Sequence, residues 1–191
     1  MNLEIIKHSI DAVVKLSDKE WTNLKEILKE KRLSKNELLL LEGSICGFIA
    51  FINYGSLIYF KLLENGNEVT TDFAFAGEWV TDNFSRLSGV PSTLNIRALE
   101  DTSLIILSNS DLAKVYEGIP KLEKVGRILI EQAFMKITQH SIDLQVLTAT
   151  ERYVKLIDKY PEILQKIPLH HIANYLGIAP KSLSRIRKEI T

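Results

Sequence analysis

Short apolar runs separated by glycines occupy the middle of the chain. No glycine precedes Gly43, and glycines then recur as far as Gly89. The runs between and after them are ELLLLEG, FIAFINYG, SLIYFKLLENG, EVTTDFAFAG and TLNIRALEDTSLIILS. This pattern predicts short strands joined by turns, and the pair Asn65-Gly66 tolerates the positive φ angles of a tight hairpin. We therefore expect an antiparallel β-roll or barrel.

Helical patterns flank this β region. Ser17 and Glu20 have the spacing of a capping box, and the positions after them repeat with the helical period at Trp21, Leu24, Ile27 and Leu28. Residues 121–146 lack proline and predict one long helix. Apolar residues lie on more than one side of it, at Val125, Leu129 and Ala133 and at Ile128, Met135 and Ile142.

A helix that is apolar on more than one side must bury each side. We expect the long helix to pack against its own domain and against a second copy of the chain. The alternative is a helix buried entirely in the core of its own domain.

A second capping box, formed by Thr148 and Glu151, predicts that a new helix begins directly after the long one. Two helices that meet at residues 147 and 148 form a hinge. The sequence thus divides into a β-roll domain at 1–120, a long helix at 121–147 and a terminal helical domain at 148–191.

The last segment has the pattern of two short helices around a glycine turn. Pro168 and Pro180 can each begin a helix, and Gly177 permits the sharp turn between them. The expected buried faces are Ile172, Ala173 and Leu176 on the first helix and Leu183, Ile186 and Ile190 on the second. This is the pattern of a helix–turn–helix.

The second of these helices is basic. Residues 167–191 hold four Lys/Arg against one acidic residue, although the whole chain has 24 basic and 24 acidic residues and no net charge. The candidate DNA-binding residues are Lys181, Ser182, Arg185, Arg187 and Lys188. Lys181 and Ser182 are placed to reach base edges, and Arg185 can pair with guanine or clamp a phosphate. Arg187 and Lys188 are placed to hold phosphates. The alternative is a plain helical hairpin with a solvated basic face.

Composition excludes several other classes. The 191 residues are 46% hydrophobic and 25% charged, as in ordinary globular proteins. Cys46 is the only cysteine, which excludes an internal disulfide framework, a four-cysteine zinc site and a cysteine-ligated iron–sulfur cluster. The first twenty residues have neither the pattern of a signal peptide nor that of a membrane span. We expect a cytoplasmic protein with no membrane partner.

The sequence offers no catalytic motif: there is no nucleophile elbow, Walker loop, zinc-ligand pattern or Rossmann fingerprint. His8, His140, His170 and His171 are scattered, and the adjacent pair cannot share one helical face, so we expect no metal site. Instead, one histidine of the pair should pack while the other faces solvent or DNA. We expect a protein that is not an enzyme.

Three stretches resemble the Crp–Fnr superfamily of bacterial transcription regulators. FAFAGEW (73–79) resembles the opening of its phosphate-binding cassette, IRALEDTSLIILS (96–108) the strands that follow, and HIANYLGIAPKSLSRIRKE (171–189) its DNA-reading unit. The resemblance implies an α+β fold, in which a cyclic-nucleotide-binding-type β-roll (a double-stranded β-helix) is joined by a dimerisation helix to a winged helix–turn–helix. It also implies a homodimer on two-fold-symmetric double-stranded DNA, with RNA polymerase and a small-molecule effector as further partners.

The same resemblance gives an effector pocket, which departs from the family pattern. Its expected members are Gly77, Glu78, Ser92, Thr93 and Thr138. Members that bind cyclic AMP hold its phosphate with an Arg-Ser/Thr-Ala sequence, and the aligned residues here are Ser92, Thr93 and Leu94. The arginine is missing, and residues 64–101 carry seven acidic residues against two arginines.

A buried phosphate without that arginine loses its strongest contact. The sequence therefore predicts a sensor domain that does not bind cyclic AMP in the usual way and has no assigned cofactor. The alternative for this site is that Gly77 forms a simple turn and that Glu78 is a capping or solvated residue. For the whole chain, the alternative is a ligand-responsive sensor whose terminal helices bind a protein partner.

Overall fold

Helices flank a central β region in the computed structural model, which describes residues 2–190. The chain begins with α1 (Glu4–Asp11) and α2 (Asp18–Ile27). The strands are β1 (Lys29–Leu33), β2 (Leu38–Leu40), β3 (Phe48–Tyr54), β4 (Ser56–Leu62), β5 (Glu68–Phe75), β6 (Trp79–Val80), β7 (Asn95–Ala98) and β8 (Thr102–Ser108), with α3 (Asn83–Ser88) after β6. The remaining helices are α4 (Asn109–Gly118), α5 (Leu122–Val146), α6 (Ala149–Lys159), α7 (Ile163–Lys166), α8 (Leu169–Tyr175) and α9 (Pro180–Ile190). This mixed architecture confirms the α+β prediction.

The strands form two four-stranded sheets. The order in one is β1-β8-β3-β6, and the order in the other is β2-β7-β4-β5. In the first sheet β8 pairs antiparallel with both β1 and β3, with Ile106 opposite Lys29 and Ala50. The predicted β-roll is therefore confirmed, and Gly66 adopts the positive φ of +80° that the Asn65-Gly66 turn requires.

The residues group into two compact units. The first comprises Met1–Ile58 and Phe73–Gln132, and the second comprises Tyr59–Asp72 and Ala133–Thr191. The second unit thus combines the outer part of the β4–β5 hairpin with the C-terminal half of α5 and the terminal helices. The division at residues 120 and 147 drawn from the sequence stays a prediction.

Strand β1 is absent from the pattern-based prediction because it does not look like a strand. Its sequence KEKRL has four exposed residues and only Leu33 buried. It forms the edge of its sheet, where charged side chains remain in water while the backbone pairs with β8.

Helix α2 begins as predicted. The Ser17 hydroxyl accepts from the Glu20 backbone N–H, and the Glu20 carboxylate accepts from the Ser17 backbone N–H at 2.7 Å, which completes the capping box. The Lys121 ammonium lies 2.7 Å from the same carboxylate. Lys121 and then the Ser17 hydrogen bonds lower the pKa of Glu20 to about 2.

Helix α5 has the predicted length, but little of it is buried. Only Leu122 and Val125, both in its first turn, are buried among its described residues. Large apolar side chains remain exposed along the rest, namely Ile130, Phe134, Met135, Ile137, Ile142, Leu144 and Val146. The alternative of a helix buried in its own core is therefore wrong. Among residues 2–190, no helix has the length and apolar character to cross a lipid bilayer.

The β3–β4 turn depends on Gly55. Its φ is +100°, and a Cβ built on it would lie 2.9 Å from the backbone Cα of Thr102 and 2.4 Å from that residue's hydroxyl. A side chain at this position meets both an unfavourable backbone conformation and a strand that cannot move without breaking its pairing.

We expect Gly55→Ala to lower the free energy of unfolding by about 1–3 kcal/mol because of this backbone strain. Urea denaturation followed by circular dichroism measures it. Gly47→Ala is the matched control: its Cβ meets nothing within 4 Å and its φ is not positive, so the unfolding free energy should change by less than about 1 kcal/mol. Equal stability of the two variants would contradict this account of the turn.

Candidate nucleic-acid interface and effector site

The helix–turn–helix is built on a small apolar core. Ile172, Ala173 and Leu176 are fully buried on α8, as are Leu183 and Ile186 on α9. Gly177 takes a φ of +67° between the helices, and the backbone N–H of Ile178 donates to Ala173 O at 3.0 Å. Because α9 buries this face against α8, the opposite face of α9 is left to solvent.

One prediction for this core is wrong. Ile190 was expected on the buried face of α9, but 43% of its surface is exposed. It lies in the last turn of the helix, beyond the reach of α8. The buried face therefore ends at Ile186.

The exposed side of α9 is cationic. Lys181, Arg185 and Lys188 are all exposed, and their spacing of four and three residues places them on one face of the helix. Arg185 Nε lies 3.8 Å from Glu189 Oε1, but both side chains are more than half exposed. An ion pair in that setting is worth little, so the guanidinium can exchange this contact for another anionic or polar partner.

The two other predicted residues lie beside this row. Ser182 and Arg187 are half-buried, so they flank the cationic face and do not stand at its centre. Ser184, which the sequence prediction omitted, is exposed within the row, and its hydroxyl donates to Pro180 O at 3.1 Å. The helical period counted from Lys181 could have identified Ser184.

The junction between α5 and α6 is tied by polar contacts within the second unit. The Thr148–Glu151 capping box is present, and the hydrogen bonds from Thr148 hold the pKa of Glu151 below its usual value. The Arg152 guanidinium donates to Leu147 O at 2.5 Å and to Leu176 O at 3.0 Å. It thereby satisfies carbonyls that terminate α5 and α8.

One histidine of the adjacent pair packs while the other is exposed, as predicted. His171 is buried and its Nδ1 lies 2.7 Å from Thr70 Oγ1 in a hydrogen bond, whereas His170 is exposed. His140 stacks on Tyr175 with ring centroids 4.2 Å apart. Burial lowers the pKa of His140, against smaller opposing effects of Asp72 and Asp143. Residues 2–190 contain no cluster of three or more His, Cys, Asp or Glu suited to a metal ion.

Gly77 and Glu78 form a turn of the first unit. Gly77 has a φ of +89° and is exposed, and its N–H donates to Ile52 O at 2.8 Å. The Glu78 carboxylate accepts from the Phe75 backbone N–H at 3.0 Å. These contacts are those of the turn-and-cap alternative.

Ser92 aligns with the family's missing arginine, and Thr93 follows it. Ser92 is buried, and its hydroxyl donates to Leu94 O at 2.9 Å and accepts from Leu94 N at 3.1 Å. Thr93 is exposed in the same loop. The Ser92 hydroxyl is thus engaged with its own backbone.

Helix α3 begins with a carboxylate. Asp82 is buried and accepts from the Ser85 backbone N–H at 3.2 Å. The Arg86 guanidinium donates through Nη2 to Asn83 Oδ1 at 3.1 Å. A negative side chain therefore occupies the helix end at which a bound anion would be favoured.

Thr138, the last predicted pocket residue, is exposed on α5. It belongs to the second unit, whereas Gly77, Glu78, Ser92 and Thr93 belong to the first. Its assignment to the effector pocket stays a prediction.

Comparison with known proteins gives a domain match and a set of structural neighbours. Residues 30–118 match the family described as the cyclic nucleotide-binding domain. No protein with a curated description matches the sequence significantly.

The neighbours share the fold at low sequence identity. FixK2 from Bradyrhizobium japonicum is 20% identical with a TM-score of 0.76, and the match covers 86% of this chain and 84% of FixK2. The c-di-GMP-responsive global regulator CLP from Xanthomonas campestris is 13% identical with a TM-score of 0.71, over 91% of each chain. CooA from Carboxydothermus hydrogenoformans, solved as a mutant, is 16% identical with a TM-score of 0.66, over 93% of this chain and 85% of CooA.

The part of the resemblance that implied wing strands is not met, because residues 148–190 contain helices and no strand. The fold that the resemblance implied is otherwise confirmed. Residues 30–118 match the cyclic nucleotide-binding domain family, and the chain as a whole has the fold of the Crp–Fnr transcription regulators.

Proposed function

We propose that this protein is a sequence-specific DNA-binding transcription regulator that acts as a homodimer in the bacterial cytoplasm. The observation that carries the proposal is the cationic row of Lys181, Arg185 and Lys188 on α9. Leu183 and Ile186 hold the opposite face of the same helix in the core. Helix α9 can therefore enter a major groove without giving up its own packing.

The residues of this row divide into those that contact bases and those that contact phosphates. Lys181, in the first turn, and Arg185, one turn later, reach base edges, where an arginine pairs with guanine through two hydrogen bonds. Lys188 and the half-buried Arg187 are closer to the end of the helix and contact phosphates. In a dimer, two such helices read half-sites about 34–36 Å apart, one turn of the duplex.

Selection of bound duplexes from a random pool should give a palindromic site, and Arg185→Ala should weaken binding to that site by about 1–3 kcal/mol. Lys181→Ala should weaken it as well, because a base or phosphate contact is lost in each case. Fluorescence anisotropy at several salt concentrations measures both effects. Affinity should fall steeply with salt.

The matched control is Lys19→Ala, which removes one exposed positive charge from α2 and should leave operator affinity unchanged. Unchanged affinity in Arg185→Ala would contradict the assignment of α9 to the groove. Absence of any salt-dependent duplex binding would favour the alternative in which the terminal helices bind a protein.

The dimer proposal rests on the exposed apolar residues of α5. Phe134 and Ile137 are each about two-thirds exposed, at 69% and 66%, and lie on one side of the helix because they are three residues apart. Large apolar patches on a soluble protein mark interaction sites. A second copy that aligns its own α5 covers both patches at once, since a two-fold interface joins identical surfaces.

We expect Phe134→Lys combined with Ile137→Lys to convert dimers to monomers, because charges would then face each other across the interface. Analytical ultracentrifugation measures the mass. The control is Gln132→Lys combined with Gln145→Lys, which adds the same charges at two exposed polar positions of α5 and should leave the dimer intact. A wild-type chain that sediments as a monomer at micromolar concentration would overturn the dimer.

The sensor domain, we further propose, does not bind cyclic AMP in the usual way. The Ser92 hydroxyl is engaged with Leu94, and the Asp82 carboxylate caps α3. Ser92, the residue aligned with the family's arginine, supplies no charged donor for a phosphate. The residues present therefore do not fit this cofactor, and a buried anion beside Asp82 would be disfavoured by like charge.

Isothermal titration with cyclic AMP should show no binding in the micromolar range, and the selected operator should bind equally well with and without the nucleotide. Cyclic GMP is a second probe of the same phosphate contact and should also give no heat. Saturable micromolar binding of either nucleotide would contradict the proposal for the sensor domain and leave the DNA-binding proposal standing.

A further inference from the structure

One face of strand β5 meets the helix–turn–helix inside the second unit. Glu68, Thr70 and Asp72 are spaced by two residues, so their side chains lie on the same face of the strand. Helix α8 meets the strand through His171, which contacts the Thr70 side chain, and through Asn174, which contacts the Glu68 backbone carbonyl. Helix α5 meets it through Lys136, which contacts the Asp72 carboxylate. The outer part of the hairpin is therefore joined to the DNA-reading unit by a register of polar contacts.

The central contact of this register is buried. His171 Nδ1 and Thr70 Oγ1 are 2.7 Å apart, and only 3% of the histidine and 1% of the threonine are exposed. A buried polar atom that loses its partner keeps the full cost of leaving water. This bond therefore disfavours arrangements in which α8 moves away from the strand.

The contacts on either side fix the direction of the helix. The Asn174 side-chain amide donates to Glu68 O at 2.8 Å, and Lys136 Nζ lies 2.7 Å from Asp72 Oδ2. Tyr175, at the end of α8, stacks on His140 of α5. Several separate contacts along one short helix restrict its rotation as well as its distance from the strand.

Contacts that restrict the movement of α8 also restrict α9, because α9 packs on α8. Ile172 and Ala173 of α8 are fully buried together with Leu183 of α9. The face of α8 that carries His171 is occupied by β5, so α8 lies between the strand and the helix that reads DNA. What fixes α8 on the strand therefore fixes the cationic row of α9.

We propose that Thr70 and His171 are positioning residues for DNA recognition, which hold α8 and thereby α9 in the orientation that reads the operator. The proposal rests on the proposed DNA-binding function. A helix held in place before binding loses less conformational freedom when it docks. Base contacts need accurate placement, whereas attraction between lysines and phosphates tolerates a rotated helix.

The test compares four variants. Thr70→Val removes the hydroxyl and keeps the β-branched shape, and Thr70→Ser keeps the hydroxyl. Thr71→Val is the matched control, because Thr71 is exposed on the opposite face of the same strand and its hydroxyl donates to Tyr59 O at 3.3 Å. His171→Asn keeps a polar atom close to the position of Nδ1 and tests the other partner of the bond.

Thr70→Val should lower affinity for the selected operator by about tenfold, the factor expected when a buried polar group loses its partner. Affinity for random duplex should change by less than about twofold, since it depends on charge alone. Thr70→Ser should restore operator binding, His171→Asn should restore part of it, and Thr71→Val should behave as the wild type. Equal losses on operator and random duplex would overturn the inference, as would equal behaviour of the two valine variants.

Amide hydrogen exchange of residues 169–176 gives a readout that does not depend on DNA. Faster exchange in Thr70→Val but not in Thr71→Val supports the positioning role, and unchanged exchange overturns it. If the wild type shows no preference for any duplex sequence, the proposed function fails, while the exchange comparison still decides whether the strand holds α8.

Discussion

The helix–turn–helix depends on a single packing constraint, the mutual burial of α8 and α9. The core of this unit is only a few side chains thick, with Ile172, Leu176, Leu183 and Ile186 at its centre. The chain must reverse direction between the two helices within a few residues, which Gly177 permits through its positive φ. With these apolar faces buried, the residues that remain on the outer face of α9 determine the sign of its charge.

The same division between a buried face and a free face recurs in α5 with a different outcome. Its first turn is anchored in the first unit by Leu122 and Val125. Beyond that turn Leu129 packs against the same core, but most of the large apolar side chains are exposed. In α9 the free face is cationic and soluble by itself. In α5 it is apolar, so exposing it to water costs free energy, which the proposed association with a second copy would remove.

Much of this arrangement could be predicted from sequence because the signals are local. Capping boxes at Ser17 and Thr148, the turn at Gly66 and the helical period of α5 each depend on residues close together in the chain. Strand β1 could not be predicted in this way, since its charged sequence becomes a strand only through pairing with β8. Ile190 was misplaced because its position fits the period of α9, but the residue is 43% exposed in the last turn of the helix.

In the candidate sites too, some features follow from local sequence patterns and others only from the fold. Lys181, Arg185 and Lys188 follow from periodicity alone, whereas the half-burial of Ser182 depends on a neighbouring helix. The hydrogen bond between Thr70 and His171 joins residues 101 positions apart, and no sequence pattern predicts it. The use of the Ser92 hydroxyl on its own backbone is likewise a product of loop geometry.

Strand β1 also bears on how copies of this chain meet. The strand lies at the edge of its sheet, and Lys29, Glu30, Lys31 and Arg32 surround that edge with charge that an incoming strand would have to desolvate. Growth of the sheet from one molecule into the next is thereby discouraged. The proposed dimer would instead use a helical surface that closes after two copies, which gives a finite assembly and no route to open-ended fibres.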